Sequence, residues 1–284
     1  MSSTGVPWIN IELECSSRKR RTLFYDGGEN TLETEKPLLI AFHGGSGQPE
    51  QMEKLTGFIS LAKEQHFFVA YPEGLNRAWN DGRDRPGRRE IDDVEFLIKL
   101  VDKLCQSYPV DRKRVYACGI SNGGFFAQYL AVRAPGLLAG VGSIAATVHE
   151  PMYKNMVVPE PVPIVFVIGK DDPVIPFAGG EIELARRKAG LVVPAEAGLN
   201  YWIAANHADP HCVESELPVL DPDDPTRVSK RVYVPLENGK PVAAYIIEGG
   251  GHAWPMGWQY YRERYIGTTS RQLNASQAIL DFFL

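Results

Sequence analysis

Two apolar patterns alternate along the chain. Short, nearly continuous apolar runs occur at residues 37–42, 67–71, 114–119, 141–146 and 164–168. Each predicts a strand covered on both faces. Between them, apolar residues return every three or four positions. Val94, Leu97, Ile98, Val101 and Leu104 show this most clearly, with Asp92 and Asp93 in the first turn, where the helix dipole favours negative charge. Residues 50–65, a stretch from about 124 through Leu130, and residues 181–189, 194–205 and 273–283 also read as helices. At the start, strand-like segments 8–14 and 22–25 flank the basic run Arg18-Lys19-Arg20-Arg21, which is expected as a solvated hairpin turn. Segments 231–234 and 243–247 suggest a late strand pair turning at Asn238-Gly239. Alternating strands and helices predict an α/β fold: a mostly parallel central sheet, helices on both faces, and an antiparallel N-terminal hairpin at one edge. No repeat or linker divides the chain, so residues 1–284 are expected to form one domain.

Composition narrows the function classes. Thirty Lys+Arg against thirty-five Asp+Glu give a net charge of −5, which argues against non-specific nucleic-acid binding. No apolar run approaches the roughly 20 residues needed to span a bilayer. Residues 1–5 are not a basic region followed by an apolar stretch, so no signal peptide is expected. The chain reads as cytoplasmic as it stands, or as secreted if a leader has been removed. Cys15, Cys105, Cys118 and Cys212 are too scattered for a disulfide scaffold or a zinc site. Mostly buried free thiols are expected, with one disulfide as the alternative.

The chemistry gathers at predicted strand ends, where open α/β sheets bind their ligands. Gly119-Ile120-Ser121-Asn122-Gly123 has the form G-x-S-x-G, with a strand before it and a helix after it. A serine on such a sharp turn is pushed out of the sheet edge, and the flanking glycines let neighbouring backbone approach. Ser121 is therefore the candidate nucleophile. It needs a base. Of six histidines, His252 follows the strand-like Tyr245-Ile246-Ile247 and the loop Gly249-Gly250-Gly251, a suitable place for a general base. His66 is expected at a helix end, His43 in a backbone turn, and His149, His207 and His211 on loops or the surface.

Asp171 and Asp172 follow the strand ending at Ile168, and either could orient the base. The order Ser, Asp, His is that of α/β-hydrolases. His43-Gly44-Gly45-Ser46-Gly47 follows another strand end and offers one oxyanion donor. Gly45 N–H is expected there, with Gly44 or Ser46 as alternatives, and Asn122 N–H is the second donor.

Several segments together resemble the polyhydroxybutyrate depolymerase/feruloyl esterase-like branch of the α/β-hydrolases, which includes acetyl xylan and cinnamoyl esterases. They are Phe42-His43-Gly44-Gly45, Ala70-Tyr71-Pro72-Glu73-Gly74, Ala78-Trp79-Asn80 and Asp92-Asp93-Val94. Arg114-Val115-Tyr116-Ala117, Gly119-Ile120-Ser121-Asn122-Gly123-Gly124, residues 169–176 and Gly249-Gly250-Gly251-His252-Ala253-Trp254-Pro255 continue the match. The resemblance implies the α/β-hydrolase fold and an ester hydrolase with Ser121, Asp172 and His252 as triad and no cofactor. Its Gly-x-x-Asp, Val-x-Pro register selects Asp172, with Val174 and Pro176 behind it.

Two departures weaken a polyester substrate. Gly44, Gly45 and Ser46 stand where polyester-degrading members often carry a cysteine, and the 81–86 stretch has none. Feruloyl, hydroxycinnamoyl or acetyl esters of plant-type carbohydrates are the expected substrates. A polyhydroxyalkanoate depolymerase, an acyltransferase and a non-catalytic binding protein on the same fold are the alternatives. Trp79, Trp254 and Trp258 are candidates for an aromatic substrate wall.

Overall fold

The computed structural model describes residues 8–27, 34–83, 85, 87–184 and 187–284. Strands β1 (Ile9–Cys15) and β2 (Arg18–Tyr25) pair antiparallel. Next come β3 (Lys36–Phe42), α1 (Pro49–Thr56), α2 (Phe58–Gln65), β4 (Phe68–Pro72) and α3 (Asp93–Ser107). They lead to β5 (Val110–Ile120), α4 (Asn122–Arg133), β6 (Gly140–Ile144), α5 (Glu150–Asn155) and β7 (Ile164–Gly169). The chain continues through β8 (Gly180–Leu184), β9 (Arg187–Val192), α6 (Ala195–Ala205), β10 (Val213–Glu216), β11 (Arg227–Tyr233) and β12 (Val242–Glu248). Helices α7 (Glu263–Ile266) and α8 (Ala275–Phe283) follow.

Ten strands form one sheet in the order β1-β2-β4-β3-β5-β6-β7-β12-β11-β10. The six from β4 to β12 run parallel. The pairings outside them are antiparallel. Along β3, Leu38, Ile40 and Phe42 enter one core, while Leu39 and Ala41 enter the other. That period of two, with both sets apolar, is why the strand reads as a continuous run. The first core packs under α3, α4, α5 and α6, through Phe96, Phe126, Met152 and Trp202 among others. The second packs under α1, α2 and α8, through Met52, Phe58 and Ile279. This is the α/β-hydrolase fold. From β3 the chain steps to β4 on one side and later to β5 on the other, so the strand order reverses between β3 and β5. Ligands of doubly wound sheets bind at the carboxyl ends of such strands.

Three local expectations are corrected. Residues 50–65 form two helices, because Gly57 takes a left-handed backbone (φ 62°) and caps α1 through its N–H to the Glu53 carbonyl. Residues 181–184 and 187–189 lie in the paired antiparallel strands β8 and β9, not in a helix, and residues 185 and 186 lie outside the described residues. Gly179, Gly180 and Gly190 have positive φ there. Ile182 and Val192 point into a small core with Phe125 and Val174, while Glu183 faces out. The basic run is not the turn. Ser16 and Ser17 make it (φ 49° and 59°), and Arg20 lies inside β2. There Arg20 is buried, bonding Asp93 at 2.6 Å with its guanidinium 4.0 Å from the Phe96 ring centroid.

The four cysteines are free thiols, with Cys15 and Cys118 buried. Among the described residues, no helix is long and apolar enough to cross a membrane.

Candidate active site

Ser121 stands between the end of β5 and the start of α4 with φ 57° and ψ −121°. A non-glycine residue is strained there by roughly 1–3 kcal/mol. The surroundings enforce the turn. Its N–H bonds to the Ile144 carbonyl at 2.8 Å, and its carbonyl accepts from Phe125 N–H at 3.0 Å. A Cβ on Gly119 would stand 2.5 Å from the Gly123 carbonyl carbon, and one on Gly123 would stand 2.4 Å from the Phe42 carbonyl oxygen. Only glycine permits this approach. The Ser121 hydroxyl makes no capping bond to α4.

The loop after β3 lies against this turn. A Cβ on Gly44 would be 3.6 Å from Ser121 Cβ, and one on Gly45 would be 4.0 Å from Asn122 Cβ. Ser46 N–H is already committed to the Arg77 carbonyl at 2.7 Å, which removes Ser46 from the candidate donors. Asn122 opens α4, and the first N–H groups of a helix lack intrahelical partners.

The other two residues come from β7 and β12, which are paired parallel neighbours. Asp171 N–H bonds to the Gly250 carbonyl at 3.0 Å, joining the loops that carry acid and base. Asp172 is buried, whereas Asp171 is exposed. Asp172 Oδ1 accepts from Val174 and Ile175 N–H at 2.7 and 2.8 Å. Its Oδ2 accepts from His252 Nδ1 at 2.8 Å. His252 is 4% exposed, so little water competes for that bond. Its own N–H bonds to the Ile266 carbonyl, and its carbonyl accepts from Tyr260 Oη at 2.7 Å. Burial pushes the Tyr260 phenol well above its ordinary range, keeping it a donor. Among the described residues, no hydrogen bond joins Ser121 Oγ to His252. Nucleophile–base contacts commonly tighten only in the Michaelis complex.

Two of the expected aromatic walls are corrected. Trp79 has no exposed surface: it stacks on Phe126 (centroids 5.0 Å, planes 9°) and donates Nε1–H to the His43 carbonyl at 3.0 Å. Trp254 is 1% exposed, bonds Ser276 Oγ through Nε1 at 3.0 Å and meets Phe58 edge-on. Both face the core. Trp258 is 41% exposed, with the Lys54 ammonium 4.4 Å from its ring centroid.

His149, expected on a loop or at the surface, stands at the loop end before α5 but not at the surface. It is fully buried and caps α5, accepting from Met152 N–H at Nδ1, so Nε2–H donates to the Asp81 carbonyl at 2.7 Å. His43 is its counterpart. Gly74 N–H donates to Nε2 at 3.0 Å, so Nδ1–H donates to the Gly44 carbonyl at 2.8 Å. Each imidazole is thus neutral and pins a loop beside the Ser121 turn. Burial lowers both to a pKa of about 4.

An unfolded histidine titrates near 6.5, so between pH 6.5 and 4 the unfolded chain binds protons that the folded chain refuses. Stability from these groups is therefore full above about pH 6.5 and falls as pH drops, by up to ~1.4 kcal/mol per unit for each. These two groups should contribute a loss of roughly 4 kcal/mol to urea melts between pH 7 and pH 5, opposed by Glu53 and Asp93, whose carboxyls burial holds above the ordinary range. A rise in stability over that interval would show that these imidazoles are not held neutral.

Residues 22–159 match the family described as esterase PHB depolymerase. Over 266 residues the chain is 31% identical to the putative esterase NocK of Nocardia uniformis subsp. tsuyamanensis, spanning 90% of this chain and 76% of that one. The chain belongs to this esterase family. It is a carboxylester hydrolase. The esterase is also 27% identical to feruloyl esterase B of Piromyces equi, over 82% of its own length but only 43% of that protein. Among solved structures, the acetyl xylan esterase from Aspergillus awamori shares the fold with a TM-score of 0.56, at 12% identity over 82% of this chain and 89% of that one.

Proposed function

We propose that this esterase acts through an acyl-enzyme on Ser121, with His252 as general base, Asp172 as its orienting acid, and the N–H groups of Gly45 and Asn122 as oxyanion donors. The observation that carries this reading is the buried 2.8 Å bond from His252 Nδ1 to Asp172 Oδ2, on the sheet edge where the strained Ser121 turn also stands. That bond leaves Nε2 unprotonated to take the Ser121 proton as Oγ attacks the ester carbonyl. The carbonyl π pair moves to oxygen, which the two N–H groups hold. One such donor contributes about 3 kcal/mol. As the intermediate collapses, His252 gives its proton to the departing alcohol. Water then repeats the cycle on the acyl-enzyme and frees the acid.

The substrate reading is a hydroxycinnamoyl or acetyl ester of a plant-type carbohydrate. The similarity to feruloyl esterase B supports it, as does the exposed indole of Trp258 in the segment that follows His252. A panel of hydroxycinnamoyl, acetylated-sugar, short-chain and polyester substrates tests it by kcat/KM. The first two classes should lead. Trp258→Ala should lower the hydroxycinnamoyl-to-acetyl ratio about fivefold, the worth of one aromatic contact. Highest kcat/KM on the polyester would replace this reading with a depolymerase.

A further inference from the structure

Trp79 touches both halves of the proposed oxyanion hole. Its indole Nε1–H donates to the His43 carbonyl at 3.0 Å, at the start of the loop that carries Gly45. Its backbone N–H donates to Asn122 Oδ1 at 2.8 Å, and its carbonyl accepts from Asn122 Nδ2 at 3.1 Å. The remaining Asn122 amide hydrogen is directed at Asp81 Oδ2, 2.6 Å from Nδ2. Both amide hydrogens and the amide oxygen of Asn122 are therefore engaged. The residue that follows the nucleophile is held at three points through its side chain.

Asp81 is fully buried, as is most of Arg83 beside it. Burial alone would raise the Asp81 carboxyl, but Arg83 and Arg85 hold it far below the usual carboxylate range. Arg83 in turn lies 4.5 Å from the Phe125 ring centroid and donates to the Ala189 carbonyl at 3.0 Å. A buried ion pair is a poor way to gain stability, because desolvation offsets most of its attraction. Its service here is geometric. Oxyanion donors act only when they are fixed in advance at the place where charge develops.

We propose that Trp79 and Asp81 are positioning residues that brace the Gly45 and Asn122 N–H groups at the separation the tetrahedral oxyanion requires. The proposal rests on the acyl-enzyme reading above. Neither residue touches the reacting atoms. They act through His43 and Asn122.

Trp79→Phe keeps a ring to stack on Phe126 and removes the indole N–H. Asn122→Ala removes the gripped amide while keeping the backbone N–H, and serves if the first variant folds poorly. Active sites are counted by fluorophosphonate labelling. Then kcat and KM for p-nitrophenyl acetate, the Ki of phenylboronic acid, and Tm are measured. Each variant should lose about 10- to 100-fold in kcat per labelled site with KM within about twofold, the pattern of an interaction made only in the transition state. The boronate, whose serine adduct is tetrahedral, should weaken by a similar factor. Variants with lower Tm but unchanged kcat per site and unchanged Ki would overturn the brace. Boronate binding to Ser121→Ala as tightly as to the unaltered enzyme would instead overturn the acyl-enzyme reading itself.

Discussion

Ser121→Ala is expected to lower kcat for p-nitrophenyl acetate by about 10⁴-fold or more, the scale seen when a triad nucleophile is removed. The structure separates this effect from misfolding. The Ser121 hydroxyl makes no cap bond to α4, and the backbone bonds to Ile144 and Phe125 do not involve the side chain. Alanine meets the same left-handed strain as serine, so Tm should stay within a few degrees. Steady-state assays and thermal melts on the same preparation check both halves. Undiminished turnover in the variant would remove Ser121 from the mechanism.

The second large effect is expected at Asp172. In Asp172→Asn, the amide oxygen should stay with the N–H groups of Val174 and Ile175, which need an acceptor. The new NH₂ then faces His252 Nδ1, which must turn acceptor. The imidazole proton moves to Nε2, the nitrogen that has to receive the Ser121 proton. This wrong tautomer should lower kcat by about 10⁴-fold with little change in overall structure. Asp171→Asn should stay within about threefold of the unaltered enzyme, since the Asp171 side chain is exposed and its described bond to Gly250 is through backbone N–H. Equal losses in the two variants would contradict the assignment of Asp172.

The strands were readable because parallel strands covered on both faces are apolar without interruption, as in Leu38-Leu39-Ile40-Ala41-Phe42. The Ser121 turn was readable because its glycines are forced by backbone contacts under 3 Å, and so leave a local mark. What the sequence hid depends on partners far along the chain. Arg20 reads as solvated until Asp93, 73 residues away, is brought against it. His149 reads as a loop residue until the Asp81 carbonyl meets it across 68 residues. Trp79 and Trp254 read as candidate pocket walls because an aromatic beside a catalytic motif suits a ligand and a core equally well. Only the partners of their indole N–H groups, His43 and Ser276, separate the two. Residues 181–189 read as a helix because glycine positions and alternating burial, rather than apolar spacing, carry the signal of β8 and β9.

Everything in the mechanism depends on a covalent bond forming at one oxygen. Reaction with p-nitrophenyl acetate, quenched in acid and mapped by peptide mass spectrometry, tests this directly. The account predicts an acetyl group on the peptide containing Ser121, absent in Ser121→Ala and formed far more slowly in His252→Ala. Continued turnover with the acetyl group on another residue, or with formation unaffected by loss of His252, would contradict it.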